Sequence, residues 1–322
     1  MMAKYHPLRI FSGDANRPLS EEVVQILGTT LGDVTITHLP DSEIHVQINE
    51  PVRGEDVFII QPCATPVNEN VMELLLLIDA FRRASAASIT AVVPYFPYGR
   101  QERMAKGREA ISARVVASAL EMLGASRVMY FDVHAAAIQG FFSIPVDPLS
   151  AFPTFAEYFH RHGLTDDAVI VSPDTGRAKL ASRVSSMMNI PLVLMHKRRA
   201  SFGAAEVTHV VGDIKDRIPI VIDDVIAGGS VIDSFPLLLE AGARPEIYVA
   251  ITHPVLVGDS LRKLDAPYIK RVIVSNTIYL PPEKRHPKIE VVSIAHVLAE
   301  VIQLVYEEKS ITPVLSKLPG AR

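Results

Sequence analysis

A chain of 322 residues, 48% of them hydrophobic, carries enough apolar material for one large or two medium α/β domains. Its formal net charge of -4 creates no global field for nucleic acid, so an anionic ligand must be held by local arginines, lysines, backbone N–H groups or a cation. Cys63 is the one cysteine, which excludes a disulfide framework or thiolate metal cluster within the chain; the densest apolar run, residues 74–78, is far too short to span a bilayer, and the expectation is a soluble, cytoplasmic protein.

In chain order the pattern predicts strands alternating with helices. Residues 8–12 read as a strand with a turn at Ser12-Gly13, and residues 19–31 as an amphipathic helix with Ser20 as N-cap ahead of two glutamates. Residues 44–48 alternate apolar and polar, as a half-exposed strand does. Asp41 and Glu43, on either side of Ser42, would point the same way if that segment is extended. A buried strand at 56–61 and a helix at 69–84 follow. The strand at 89–96 leads into Tyr98-Gly99-Arg100-Gln101-Glu102-Arg103, where Arg100 and Arg103 offer guanidinium forks that match phosphate oxygens. Taken alone, a solvated basic loop explains that stretch equally well. Beyond a polar loop at 104–110, a helix at 111–123 closes at Gly124. The strand at 128–133 ends in Asp132-Val133-His134, with Asp132 and His134 on one face as candidate cation ligands. Pro145 and Pro148 mark a domain boundary within 141–148.

The second half repeats the plan. Residues 150–162 form a helix with Pro153 in its first turn. The strand at 168–171 ends in Ser172-Pro173-Asp174-Thr175-Gly176, and a helix rich in small residues runs to about Met188. The strand at 190–195 ends in His196-Lys197-Arg198-Arg199, with Lys197 and Arg199 on one side if extended, and the small residues of 200–206 complete a cationic flap. Residues 218–222 are a β-branched apolar run, a buried parallel strand that ends in Asp223 and Asp224. Ala227, Gly228, Gly229 and Ser230 follow. Two glycines let backbone N–H groups approach an anion, and a helix N-terminus adds positive potential. Ser230 or Ser234 could cap that helix; a start at Ser234 is preferred because it puts Pro236 in the first turn. One end of the element suits phosphate and the other suits sugar hydroxyls or a hydrated cation, a combination fitted to a sugar phosphate. Strands at 246–252, 272–275 and 289–292 and a helix at 294–307 complete the chain.

Five of these motifs follow apolar runs: after Phe96, at His134, at Asp174, at Lys197 and at Asp223. In a doubly wound parallel sheet the carboxyl ends of all strands share one edge, where ligands bind. Neither GxxxxGK[ST] nor a GxGxxG after a strand is present, so a nucleoside triphosphate would bind without a Walker loop or dinucleotide fingerprint.

The segment from Asp223 to Ser230 resembles the 5-phosphoribosyl 1-diphosphate (PRPP) loop of the type I phosphoribosyltransferase fold. Further segments, among them Phe11-Ser12-Gly13, Val52-Arg53-Gly54-Glu55-Asp56, Met72-Glu73-Leu74-Leu75, Arg100-Gln101, Ile138-Gln139-Gly140-Phe141-Phe142, Ser172-Pro173-Asp174, Lys197-Arg198-Arg199 and Thr252-His253, are similar to the ribose-phosphate diphosphokinase (PRPP synthetase) family over nearly the whole chain. The resemblance implies two tandem phosphoribosyltransferase-like α/β domains, each a mostly parallel sheet flanked by helices: 1–148 on the ATP side and in oligomerisation, 149–308 with the ribose 5-phosphate loop, and a tail, 309–322, packed back on the first domain. It implies transfer of the β,γ-diphosphoryl group of ATP to the C1 hydroxyl of ribose 5-phosphate, with Mg2+. Asp41, Ser42, Glu43, Arg100, Gln101, Arg103 and His134 would contact ATP; Asp132, His134 and Asp174 would sit at the metal; Lys197 and Arg199 would stabilise the transferring group; Asp223, Asp224, Ala227, Gly228, Gly229 and Ser230 would hold ribose 5-phosphate. The resemblance implies hexamers built on dimers, so a homo-oligomer is expected.

The chain departs from the family at several points. Ala227 stands where the family loop usually has a further Asp, and the Thr before the glycines is absent. Leu39 replaces a Phe used against adenine, Ser42 a usual Gly, and Pro51 a residue linked to phosphate and ADP regulation. The altered loop keeps a second reading open, a non-catalytic regulatory paralogue that binds an active synthetase. The loop alone also permits a PRPP-consuming transferase, which the Arg100–Arg103 stretch in the first half disfavours.

Overall fold

The computed structural model describes residues 6–199 and 205–315, of which residues 197–199 and 205–208 are described by backbone alone. They divide into two units: residues up to 149 with 277–279 and 294–311, and residues 150–276 with 280–293 and the chain from 312.

In the first unit β1 (Leu8–Ser12) leads through a 3-10 turn to α1 (Arg17–Leu27). The cap of α1 is Asn16, whose side chain accepts from the Leu19 N–H at 3.4 Å; Ser20 is buried inside the helix, contrary to the expectation that it caps. The helix stops early, at Gly28, whose φ of 67° only glycine adopts cheaply. A hairpin follows, β2 (Val34–His38) antiparallel to β3 (Ile44–Ile48). β2 was not read from the sequence, although its Val34 and Ile36 alternate with polar residues as the apolar residues of β3 do. Then come β4 (Asp56–Ile60), α2 (Val67–Arg83), β5 (Ser88–Val93), α3 (Ser112–Leu123), β6 (Arg127–Phe131) and β7 (Val146–Leu149).

β1, β4, β5, β6 and β7 form a parallel sheet in that order. β4 is buried along its whole length, as a central parallel strand must be. Its core joins Phe11, Ile59, Leu77, Phe81, Val93 and Val128, and the inward faces of β2 and β3 pack on it through Val34, Ile36, Val46 and Ile48. The stretch read as a boundary therefore contributes an edge strand, β7, and the division falls after Leu149.

In the second unit, α4 (Phe152–Arg161) and β8 (Ala168–Ser172) are followed by α5 (Ala178–Met188), β9 (Leu192–Arg199), β10 (Ala205–Val211), β11 (Ile218–Ile226), α6 (Pro236–Glu240), β12 (Ile247–Pro254), α7 (Ser260–Lys263), β13 (Ile269–Ser275) and β14 (Ile289–Val292). The strand order is β10-β9-β8-β11-β12-β13-β14. Only the β10–β9 pair is antiparallel.

The last long helix, α8 (Ala295–Tyr306), differs in place from the sequence assignment of 149–308 to one domain: it groups with the first unit. There it packs on α1, and the Tyr306 hydroxyl donates to the His6 carbonyl at 3.2 Å. Of the tail, 309–311 group with the first unit, α9 (Thr312–Leu315) with the second, and 316–322 lie outside the described residues. No helix among the described residues is long and apolar enough to cross a membrane.

Replacing Asn16 by Ala should lower stability by about 1 kcal/mol. Ser20→Ala should leave it unchanged or raise it, because the Ser20 hydroxyl is buried without a hydrogen bond. Urea denaturation of both variants checks the pair, and a larger loss at Ser20 would return the cap to it.

Candidate active site

Because the strands of the main sheet in each unit are parallel, β10 excepted, the loops after them gather on one edge of that unit. In the first unit those loops follow β1, β4, β5 and β6. The β5 and β6 loops are neighbours: a Cβ placed on Gly99 would lie 3.6 Å from the His134 Cβ. Arg100, next along the chain, is exposed on the same edge. Gln101 is held by its neighbours: its N–H donates to the Tyr98 carbonyl at 2.8 Å, and its Oε1 accepts from the Ser112 hydroxyl at 2.7 Å. Tyr98 itself has φ 54° and hydrogen-bonds Asn68 through its hydroxyl, which fixes the bend that presents Arg100. Arg103 is mostly exposed and pairs with the adjacent Glu102 at 3.4 Å.

Two local expectations are corrected. β6 ends at Phe131, and Asp132 has φ 30°, so strand alternation does not put Asp132 and His134 on a common face. The Asp132 N–H donates to the Leu149 carbonyl at 2.9 Å; Asp132 is half-buried and His134 exposed. Asp41, Ser42 and Glu43 form the tip of the β2–β3 hairpin instead of an extended segment. Ser42 has φ 74°, the Asp41 carboxylate accepts from the Glu43 N–H at 3.2 Å, and all three residues are exposed. An aspartate that folds onto the backbone two residues ahead is a turn former, which the period-two argument overlooked.

In the second unit Asp174 follows β8. Its carboxylate accepts from the Arg177 N–H at 3.0 Å, and the Ser172 hydroxyl donates to its carbonyl at 2.8 Å. β11 runs on to Ile226, so Asp223 and Asp224 lie inside the strand and not beyond its end. Successive strand residues face opposite ways, yet one side chain reaches both. Arg177 Nε is 3.2 Å from Asp223 Oδ1, and its terminal nitrogen is 2.8 Å from Asp224 Oδ1. Asp224 is buried. Burial, then the hydrogen bond and like charge of Asp224, push the Asp223 carboxyl well above the usual range, and Arg177 opposes them. With the Arg177 guanidinium as donor and the carboxylates as acceptors, the cluster can both donate and accept hydrogen bonds, as sugar hydroxyls require.

The loop after β11 has the character expected of an anion cradle. Gly229 has φ 73°, and among the described residues nothing would meet a Cβ on Gly228. Ala227 is fixed by the Val257 N–H, which donates to its carbonyl at 3.1 Å; Ser230 is exposed. α6 begins with Pro236 at its first turn, after a 3-10 turn at Ile232–Ser234. The Ser234 hydroxyl donates to the Val231 carbonyl at 2.6 Å, so Ser234 does not cap. Lys197 and Arg199 are in β9, in register with Val207 and Ala205 of β10; their side chains, and residues 200–204 of the expected flap, lie outside the described residues.

Two cations escaped the sequence reading. Arg177 was the detectable one, three residues after Asp174 in a turn already singled out. Lys263, in α7, packs beside the loop: a Cβ on Gly229 would be 3.2 Å from Lys263 Cδ, and Lys263 Nζ is 2.5 Å from Asp233. No motif joins it to residues 227–230.

Two family models match the chain, the N-terminal domain of ribose phosphate pyrophosphokinase over residues 8–124 and the phosphoribosyl synthetase-associated domain over residues 166–316. The ribose-phosphate pyrophosphokinase 2 of Enterococcus faecalis is 41% identical over 308 residues, covering 95% of each chain. The ribose-phosphate pyrophosphokinase of Clostridium tetani is 43% identical over 315 residues, 97% of this chain and 98% of that one. Among solved structures, the phosphoribosylpyrophosphate synthetase of Mycobacterium smegmatis is similar with a TM-score of 0.88 and 38% identity, over 94% of this chain and 99% of its own.

Removing Arg177 leaves two carboxylates without their cation, and Arg177→Met is expected to cost about 3 kcal/mol near neutral pH. The folded state already holds the Asp223 proton more tightly than the unfolded chain, so this group loses stability as pH rises from the unfolded to the folded pKa. Loss of Arg177 raises the folded pKa further and widens that window. The deficit of the variant should therefore grow as pH rises above the folded pKa of Asp223 in the wild type, read by thermal unfolding across a pH series; a pH-independent deficit would separate Arg177 from the Asp pair.

Proposed function

The chain belongs to the ribose-phosphate pyrophosphokinase family, and on that premise we propose that it transfers the diphosphoryl group of ATP to the C1 hydroxyl of ribose 5-phosphate, giving PRPP and AMP. The observation that carries this reading is the pairing, in one strand-and-loop element, of a carboxylate cluster suited to sugar hydroxyls with a glycine cradle suited to phosphate, within a chain related to synthetases along its full length.

In this reading the C1 oxygen attacks the β-phosphorus of ATP, the bond from that phosphorus to the α,β-bridging oxygen breaks, and AMP leaves. The protein's part is positioning and charge neutralisation. Asp223 and Asp224 orient the ribose hydroxyls; Ala227, Gly228, Gly229 and Ser230 hold the 5-phosphate; Arg100, Gln101 and His134 bind the nucleotide, with Arg103 at the edge. Asp41, Ser42 and Glu43 form a nucleotide contact on the exposed hairpin tip. Lys197 and Arg199 are the proposed stabilisers of the transferring group. The residues proposed for Mg2+ are Asp132 and His134 in the first unit and Asp174 in the second; the aspartates offer the oxygen ligands this ion prefers, and His134 is the softer donor of the set. When bound, the ion supplies neutralising charge to the phosphate oxygens. The first domain would serve ATP binding and a dimer-based, hexameric assembly, the second ribose 5-phosphate, in a cytoplasmic protein.

One observation favours the non-catalytic reading. Arg177 already binds both carboxylates that the ribose hydroxyls would need. In the enzymatic reading it shares them, and the sugar takes the remaining oxygens.

Phosphorus NMR of the protein with ribose 5-phosphate, ATP and Mg2+ should show AMP and a C1 diphosphate. No product with ATP, GTP, CTP or ADP would leave the regulatory reading. Lys197→Ala is expected to lower turnover by at least about 10³-fold with unchanged circular dichroism; normal turnover would remove β9 and β10 from the mechanism.

A further inference from the structure

We infer that Asp14, His38 and Glu73 form a site for a divalent cation of the zinc and first-row transition-metal class, apart from the residues assigned to Mg2+. The three come from different elements of the first unit. Asp14 opens the turn after β1, His38 ends β2, and Glu73 lies in α2. One ligand atom from each, an oxygen, a nitrogen and an oxygen, falls within 4.8 Å of the other two.

Glu73 is the anchor. It is 1% exposed, a costly place for a carboxylate. One of its oxygens, Oε1, is fully engaged, accepting the Asp14 N–H at 2.8 Å and the Gln61 side-chain amide at 2.8 Å. Gln61 is itself buried, and its Oε1 accepts the Ala15 N–H at 3.2 Å. This support needs Gly13: a Cβ there would sit 2.2 Å from Gln61 Oε1 and 2.6 Å from Glu73 Oε1. The other oxygen, Oε2, faces His38 Nε2 at 3.8 Å. His38 Nε2 is in turn 3.6 Å from Asp14 Oδ2.

Those separations decide the reading. Both exceed hydrogen-bond length, roughly 2.7–3.2 Å, so the groups surround a point without bonding one another. Ligands at ~2.0–2.2 Å from a tetrahedral metal lie roughly 3.3–3.6 Å apart. Small rotations of Asp14 and His38, which are half-exposed, would close the gap, and a water would complete the shell. Burial pushes the Glu73 carboxyl above its usual range, and a cation at Oε2 would offset that cost. An imidazole with two carboxylates and no thiolate selects zinc, manganese, iron or cobalt over the purely oxygen-ligated ions. Gln61 is the outer support that fixes Glu73, as metal-binding carboxylates commonly require. Occupancy would pin the end of β2 to the core, three residues before Asp41.

The test is equilibrium dialysis of the full chain, stripped with chelator, against Zn2+ with excess Mg2+ present. The wild type should retain one more Zn2+ per chain than either His38→Ala or the near-isosteric Asp14→Asn. Zn2+ should also raise the melting temperature of the wild type more than that of His38→Ala. Equal Zn2+ retention by the wild type and both variants, or none by any, would overturn the site and leave an imidazolium held between two carboxylates.

Discussion

Parallel pairing is the constraint on which everything else depends. A parallel strand cannot be followed directly by its neighbour; the chain must cross back, so every loop after a strand comes out on the same edge. In the first unit this joins Gly99 and Arg100 with His134, although 35 residues of sequence separate Gly99 and His134. In the second it joins the turn at Asp174 with Asp223 and Asp224, because β8 and β11 are paired. The apolar, β-branched strands that make the sheets thus also do the positioning, and the loops are free to carry charge.

The Arg177 bridge shows how such an edge tolerates two adjacent acids. A carboxylate at 3% exposure beside a second one would repel it in a low dielectric. One guanidinium spans both, because its planar fork presents donors in two directions. The arrangement leaves at most one negative charge on three groups and holds both carboxyls in fixed orientation. A buried ion pair is weak evidence of added stability; its use here is geometric, since carboxyls kept in place can bind hydroxyls without reorganising. The same bridge limits the site, because a sugar must share the acids with Arg177 or displace it.

The parts legible in the sequence were those governed by local rules. β11, its acids and its glycines were readable because a β-branched run, two aspartates and two glycines each have one dominant local explanation. Gly124 closed α3 as expected, with φ 118°. What failed depended on partners distant in sequence or on competing turn chemistry. Asn16 displaced Ser20 as cap because Pro18 suits the first turn of a helix that starts at Arg17. Asp41 and Asp132 entered turns where strand alternation had been assumed. β7 looked like a linker because of its prolines, but Pro148 lies on an edge strand, where a missing N–H is tolerated. The grouping of α8 with the first unit has no local signature at all; only its apolar face, which must be buried somewhere, hinted that it would find a partner.

The β2–β3 hairpin follows a different logic from the sheets. Two strands alone are marginal in water, so this ribbon depends on the face it turns inward. Val34, Ile36, Val46 and Ile48 supply that face, and the alternate residues stay in solvent. Among the described residues the tip pairs with no further strand. Asp41, Ser42 and Glu43 occupy that tip; the Asp41 carboxylate accepts from the Glu43 N–H, and Leu39 exchanges backbone hydrogen bonds with Ser42 and Glu43. His38 is the last residue of β2 before it and the one whose side chain reaches back toward the sheet, to Asp14 and Glu73. Whatever occupies the space among those three side chains therefore acts on the orientation of the tip through four residues of backbone, a short and mechanically direct route from a buried carboxylate to an exposed polar loop.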